Sequence, residues 1–150
     1  MIELTCCPST LQKGFSTYSP VALKELFNIQ KVNHILPYNG MDNNETEQKE
    51  FQDNNKHMSI SGAQQKYSLV VDNGQMRLSL EQEQATLLLK TKLSEYANKE
   101  ISPANEHLTM QIASQVYNIP TAANGLCFFQ NDEPAYILSL IHISEPTRLR

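Results

Sequence analysis

The sequence contains no run of about 18 apolar residues, so it predicts no membrane-spanning helix. Its first residues lack a basic region followed by a long apolar stretch, the pattern of a secretory signal, and we therefore expect a cytoplasmic protein. The three cysteines, Cys6, Cys7 and Cys127, have no CxxC spacing, which argues against a zinc site and against a disulfide scaffold.

Positive charge is also scarce. The chain has 12 Lys and Arg against 16 Asp and Glu, a formal net charge of −4, and it shows no basic stripe. We therefore expect that this segment does not bind nucleic acid directly. The chain has 150 residues, of which 40% are hydrophobic and 19% charged. It is long enough to form one modest hydrophobic core and too short for two domains of typical size.

The last residues, 138–150, resemble translated adapter DNA rather than natural protein. The stretch Leu138–Arg148 is what the transposase adapter used in preparing sequencing libraries encodes. We therefore expect the natural sequence to end near Ile137, and the chain to be the N-terminal fragment of a longer protein. No residue of this tail is included in a candidate site.

Two segments precede the expected sheet. Residues 1–38 are predicted to form an N-terminal appendix with one short helix, because Ser19 can cap it and Pro20 suits its first position. The apolar residues that share one face of this helix are Leu23, Leu26 and Phe27. Residues 39–57 are almost all polar, with Phe51 as the only large aromatic, so we expect a solvated loop or a frayed polar helix that links the appendix to the sheet.

Residues 58–137 are predicted to form an α+β domain. Tyr67–Asp72 and Gln75–Leu80 flank Asn73-Gly74, and since both turn residues tolerate positive φ, a tight type I′ hairpin is indicated. Apolar runs predict three further strands at 85–90, 125–129 and 134–137.

A helix is predicted between the third and fourth of these strands. It begins with Ser102 as cap and Pro103 in the first turn, and it places Leu108, Ile112 and Val116 on one face. The order of three strands, one helix and two strands predicts an antiparallel sheet with a helix packed on one face.

Three features of this domain could carry chemistry. The small residues of the loop 59–66 would let backbone N–H groups approach phosphate oxygens, although taken alone an ordinary loop explains them more simply. Lys90 ends an apolar strand, where it either extends its ammonium group to water or holds phosphate. Glu106 lies in the first turn of a helix, where the helix dipole already favours a carboxylate. The combination is the layout of a kinase N-lobe, in which a lysine and a glutamate pair over ATP.

Three stretches, in this order, resemble motifs of the HipA family of serine/threonine kinases. The stretch 58–66, Met-Ser-Ile-Ser-Gly-Ala-Gln-Gln-Lys, resembles the family string M-S-I-S-G-x-Q-x-K. Leu87–Lys90 is similar to the family's Y-I-L-K, and Ala104–Met110 is similar to x-N-E-x-x-T-M. The opening Cys7-Pro-Ser-Thr resembles that of the short, HipT-like members, and the whole resemblance covers residues 6–137.

The resemblance implies a toxin of a bacterial toxin–antitoxin module, a kinase that uses ATP and Mg²⁺ to phosphorylate an aminoacyl-tRNA synthetase and that has a HipB-like antitoxin as partner. It further implies an ATP phosphate-binding loop, made of Ser61, Gly62, Ala63, Gln64, Gln65 and Lys66. By position, Lys90 would contact the nucleotide and Glu106 would supply its supporting ion pair. Ser59 and Ser61 match the autophosphorylation sites that eject this loop and silence the kinase.

Two positions depart from the family pattern, Gln65 and Thr91, where the family usually has proline. The family's hinge, catalytic and metal-binding residues would follow Ile137, so we expect no catalytic residue and no metal ligand in this fragment, and no activity of the fragment alone. Two other functions stay open: a non-catalytic interaction module that binds a partner protein, and a sheet domain with no nucleotide role.

Overall fold

The computed structural model describes residues 1–41, 45–56, 65–92 and 97–141. Their centre is a curled sheet of five strands in the order β2-β1-β3-β5-β4, and every neighbouring pair is antiparallel. The strands are β1 (Lys66–Asp72), β2 (Gln75–Leu78), β3 (Leu87–Lys90), β4 (Asn124–Phe128) and β5 (Pro134–Ser139). The predicted α+β class and the predicted antiparallel sheet are confirmed.

Two helices precede the sheet in the chain, and a third lies between β3 and β4. They are α1 (Pro20–Ala22), which continues as a π-helical turn over Leu23–Phe27, α2 (Glu45–Lys56), and α3 (Ser102–Gln115), which follows a 3-10 turn at Lys99–Ile101. In the described part of the chain, no helix has the length and apolar character needed to cross a membrane.

The hairpin between β1 and β2 has the predicted turn. Asn73 and Gly74 have φ values of 49° and 77°, and the last ladder pair before the turn is Asp72 with Gln75. A Cβ at position 74 would lie 3.1 Å from the carbonyl oxygen of Lys31, so glycine is required here by packing as well as by its dihedral angle.

The short N-terminal helix begins where the sequence predicts it. The Ser19 hydroxyl accepts a hydrogen bond from the Ala22 amide at 3.2 Å, and Pro20 occupies the first turn. The helix ends at Asn28, whose φ of 55° is left-handed. Of the three residues predicted to share a face, Leu26 and Phe27 are buried and Leu23 packs partly buried against them.

The polar segment 39–57 contains α2, and two side chains of this helix are built into the domain. Phe51 is buried and packs edge-on against Tyr38 and Tyr67. The Asn54 side chain accepts from the Ser68 amide at 2.8 Å, next to the hairpin. The helix is therefore held by tertiary contacts and not by its own composition, because its isolated sequence is strongly polar.

The chain segment 33–38 closes the open side of the curled sheet. The Leu36 amide donates to the Phe128 carbonyl on β4 at 2.7 Å, and the Tyr38 hydroxyl accepts from the Leu78 amide on β2 at 3.0 Å. Since uncovered strand edges can pair with other chains, this segment protects both borders of the sheet.

The face of the sheet that this segment encloses forms one hydrophobic core. Its largest members come from the N-terminal region, from α2 and from the strands: Tyr18, Leu26, Phe27, Leu36, Phe51, Tyr67, Leu69, Met76, Leu87, Leu89, Phe129 and Ile137. Residues of the expected appendix and of the expected linker thus share a single core with the sheet.

Helix α3 starts at the predicted place but not by the predicted cap. Ser102 is its first residue, and the hydroxyl donates to the Lys99 carbonyl at 2.7 Å instead of accepting from a helix amide. Its buried side chains are Pro103, His107 and Gln111, whereas the apolar face expected from the sequence points to solvent.

Strand β5 continues past the expected natural end at Ile137. Leu138 pairs with Leu88 on β3 and with Asn124 on β4, and Ser139 is buried. The first residues of the stretch that resembles adapter DNA therefore take part in the sheet, whereas residues 142–150 lie outside the described residues.

Candidate functional site

Lys90 and Glu106 form an ion pair between the end of β3 and the first half of α3. The Lys90 Nζ contacts Glu106 Oε1, and the two side chains are 19% and 29% exposed. Both side chains are mostly shielded from solvent, so the lysine is held in place while part of its side chain stays accessible. The structure therefore brings together the two residues that the sequence suggested as partners.

Tyr136 completes this cluster from β5. It is the cross-strand partner of Lys90, and the Lys90 Nζ lies 5.6 Å from the centre of its ring, within the range of a cation–π contact. Burial, and to a smaller extent the charge of Glu106, raises the pKa of the Tyr136 hydroxyl, which stays protonated. Tyr136 could not be predicted from the sequence, because only strand register shows that it faces Lys90.

Lys66 is the partner of Lys90 on the other side. The two residues are paired across β1 and β3, and paired residues project from the same face of a sheet. Like charges directly opposite one another are unfavourable unless other groups offset them. The register therefore concentrates two lysine side chains at this end of the sheet.

The predicted phosphate-binding loop is described only at its end. Ser59, Ser61, Gly62, Ala63 and Gln64 lie outside the described residues. Gln65 is exposed and accepts a hydrogen bond from the Tyr67 hydroxyl, whose pKa burial raises to about 12. Lys66 is the first residue of β1.

A cavity of about 370 Å³ opens at the same end of the sheet. Its described lining residues come from α2, from the ends of β1 and β3 and from the turn before α3, and they are Met41, Gln48, Phe51, Gln52, Gln65, Tyr67, Thr91, Lys92 and Lys99. Because side chains alternate along a strand, Tyr67 projects from the face of the sheet opposite to Lys66. The cavity that Tyr67 and Gln65 line therefore lies on that opposite face. Lys90 and Glu106 are not among its described lining residues.

A second set of charges lies beside this cavity and was not foreseen. The Lys92 Nζ lies 3.5 Å from Glu133 Oε2 and 3.7 Å from Glu100 Oε2. These contacts join the chain after β3, the turn before α3 and the residue before β5. No pattern in the sequence indicates them, because the three residues belong to separate segments that only the fold brings together.

No group of three or more His, Cys, Asp and Glu side chains within the described ranges could hold a metal ion. Cys7 and Cys127 are buried and have no disulfide partner, and Cys6 is partly exposed and likewise free. Backbone amides of Thr10 and Ser19 donate to the Cys7 sulfur, so that thiol has a structural role at the start of α1.

No protein-family model matches the chain, and no curated protein matches it either. The resemblance to HipA kinases therefore rests on sequence motifs alone, chiefly those at 58–66, 87–90 and 104–110. Of these motifs, the second and third contain the residues of the ion pair.

Proposed function

We propose that this chain is the ATP-binding N-lobe portion of a HipA-like serine/threonine kinase toxin. The parent protein would act in the cytoplasm on an aminoacyl-tRNA synthetase, under the control of a HipB-like antitoxin. The observation that carries the proposal is the ion pair of Lys90 and Glu106, formed between the third strand of an antiparallel sheet and the helix that follows it. Protein kinases use a lysine on the third strand, paired with a glutamate of the next helix, to hold ATP phosphates.

The cluster has the chemistry that phosphate binding needs. An ammonium group has three N–H donors, so Lys90 can hold Glu106 with one and offer the others to phosphate oxygens. The carboxylate and the ring of Tyr136 fix the direction of the lysine side chain. Lys66, on the same face, adds positive charge beside it. The lysine is thus oriented before the nucleotide arrives, which lowers the entropy cost of binding.

Mg²⁺ would accompany ATP in the parent enzyme, but the described residues do not fit a Mg²⁺ site of their own. We expect the chain by itself to bind ATP weakly and to transfer no phosphate, because positioning of metal and base residues is what drives phosphoryl transfer.

Titration of the 150-residue chain with a non-hydrolysable ATP analogue, followed by protein NMR, tests the proposal. Lys90→Ala should lower the affinity about tenfold or more, because hydrogen bonds to charged groups contribute roughly 1.5–3 kcal/mol. Glu106→Gln should lower it less, since the lysine remains. Ser59→Asp should also weaken binding, because a fixed negative charge would compete with the phosphates for the same donors.

Lys24→Ala is the matched control, since it removes the same charge from an exposed position on the N-terminal helical turn. It should bind the analogue like the unchanged chain. Equal affinity of the unchanged chain, Lys90→Ala and Ser59→Asp would contradict the proposal, as would the absence of any binding at millimolar analogue.

A further inference from the structure

The hydroxyl group of Tyr136 makes no hydrogen bond to the protein within the described residues. The residue is only 1% exposed, and its ring lies beside the ammonium group of Lys90. The hydroxyl oxygen itself is not sealed from solvent, so the small exposed part of the residue includes it. Hydroxyls of buried tyrosines usually bond to the protein. A hydroxyl left open at an otherwise buried residue can therefore bond to a ligand.

Other buried tyrosines of this fold use their hydroxyls within the protein. The Tyr18 hydroxyl donates to the Leu126 carbonyl at 2.8 Å, and the Tyr67 hydroxyl donates to Gln65. Both residues are 2% exposed, which is close to the value for Tyr136. Burial alone therefore does not explain why the hydroxyl of Tyr136 is left without such a bond.

Tyr136 stands in one row with two lysines across the sheet. The register pairs Lys66 with Lys90 and Lys90 with Tyr136, so all three side chains project from the same face. The Lys90 Nζ lies 5.6 Å from the centre of the tyrosine ring. Two hydrogen bonds of about 2.7–3.0 Å to one acceptor group bridge donors that are about 6 Å apart. One phosphate group, with several oxygens, can thus accept from both side chains.

The hydroxyl is a neutral donor under ordinary conditions. Burial, and to a smaller extent the negative charge of Glu106, raises the pKa of Tyr136, so its proton stays in place at neutral pH. A phenolate would repel an anion, whereas a protonated hydroxyl can donate to one. Tyr136 can therefore add a hydrogen bond to the site without adding a charge that Glu106 or Lys90 would have to balance.

We propose that the Tyr136 hydroxyl contacts the ligand directly and donates to an oxygen of the phosphate chain that Lys90 holds. Before the ligand binds, water takes this bond, and the phosphate oxygen then replaces the water. The inference rests on the proposed function and adds to it a residue that touches the nucleotide. The ring of Tyr136 orients Lys90, and its hydroxyl has this separate task.

The variant Tyr136→Phe tests the proposal, because it removes the hydroxyl oxygen and keeps the ring beside Lys90. Titration of the full chain with a non-hydrolysable ATP analogue should show an affinity about three- to tenfold lower, the effect of one lost hydrogen bond. Urea unfolding should show an unchanged midpoint, because the oxygen has no partner within the described part of the protein. A loss of affinity without a loss of stability is the mark of a ligand contact.

Tyr18→Phe is the matched control and should give the opposite result. It removes the same oxygen from an equally buried tyrosine, but here the oxygen is bonded to the Leu126 carbonyl. This variant should unfold at a lower urea concentration and should bind the analogue like the unchanged chain.

Inorganic tripolyphosphate is the second probe, because it offers the phosphate chain without a nucleoside. Tyr136→Phe should weaken its binding by a factor similar to that for the analogue. An effect confined to the analogue overturns the assignment of the hydroxyl to phosphate.

The remaining outcomes separate this inference from the proposed function. If Lys90→Ala weakens binding of the analogue and Tyr136→Phe does not, only the role of the hydroxyl is overturned. If Tyr136→Phe loses as much stability as Tyr18→Phe, the hydroxyl is structural and the inference is likewise wrong. If the unchanged chain binds no analogue at millimolar concentration, the proposed function and the inference both fail.

Discussion

The rings of Phe51 and Tyr67 meet edge to face, with their centroids 4.9 Å apart and their planes at 90°. This contact joins a helix of almost wholly polar sequence to the first strand of the sheet. Aromatic pairs in this geometry contribute beyond their buried area. The contact helps to explain why residues 45–56 are helical, because tertiary packing supplies stability that this polar sequence lacks by itself.

Replacing Phe51 by alanine should therefore destabilise the whole domain. We expect a loss of about 3–5 kcal/mol in the free energy of unfolding, the usual cost of truncating a buried phenylalanine. Urea unfolding followed by circular dichroism measures it. Lys49→Ala, at an exposed position of the same helix, should change the stability by less than about 0.5 kcal/mol. Equal effects of the two substitutions would show that α2 is not part of the core.

Residues 138–141, at the end of β5, should stabilise the fold whether or not this stretch is derived from adapter DNA. The amides of Ser139 and Leu140 donate to neighbouring backbone carbonyls at 2.8 and 2.9 Å. A chain of residues 1–137 should therefore be less stable than a chain of residues 1–141 by about 1–3 kcal/mol, at roughly 0.5–1.5 kcal/mol per hydrogen bond. Thermal unfolding of both chains decides this, and equal midpoints would mean that 138–141 contribute nothing to the sheet.

His107 should make the stability depend on pH. Burial lowers the pKa of its imidazole, and the bond to the Ser9 carbonyl opposes this only in part. The unfolded chain takes up a proton on this residue near pH 6.5, where the folded chain does not. The contribution of neutral His107 to the free energy of unfolding is thus complete above about pH 6.5. It is lost as the pH falls toward the lower pKa of the folded state.

The matching variant is His107→Gln, which keeps a side-chain N–H donor and cannot titrate. Between about pH 7.5 and pH 5.5, the unchanged chain should lose more stability than this variant, measured by thermal unfolding. Burial lowers the pKa of His34 as well, but this affects both proteins equally. Parallel pH profiles of the two proteins would rule out a titrating role for His107.

Gly74 and Gly14 offer a matched pair for the hairpin turn. Both have positive φ, 77° and 89°, but a Cβ at position 74 would lie 3.1 Å from the Lys31 carbonyl oxygen, while a Cβ at position 14 meets nothing within 4 Å. Gly14→Ala should cost about 1–2 kcal/mol from the left-handed backbone alone. Gly74→Ala should cost more, because a backbone carbonyl must also move. Equal losses in chemical unfolding would contradict the close approach of Lys31 to the turn.

Much of the fold could be predicted because its signals are local. The turn Asn73-Gly74 has the residue types that positive φ requires, and Ser19-Pro20 has those of a helix start. The order of three strands, one helix and two strands indicated the α+β class in the same way. The start of α3 was predicted correctly, but its cap was not, because Ser102 has helical dihedral angles and is itself the first helical residue, so Ile101 occupies the cap position.

The candidate site was predictable only in part. Lys90 and Glu106 could be paired in advance, since a strand ending in lysine followed by a helix with a glutamate is the layout of a kinase N-lobe. Tyr136 and Lys66 could not, because their places beside Lys90 follow from strand register, which no local pattern specifies. The Lys92 contacts with Glu100 and Glu133 depend on the same long-range assembly.

The sequence by itself indicated the strands of this protein, their order and the pairing of Lys90 with Glu106. Only the tertiary structure decided that the polar segment around Phe51 belongs to the core, and that α3 turns Leu108 and Ile112 outward. The reason is that the rotation of a helix depends on all the contacts it can satisfy. On α3 the buried hydrogen bonds of His107 and Gln111 outweigh the gain from burying its apolar face, because unsatisfied buried polar groups cost more than exposed methyl groups.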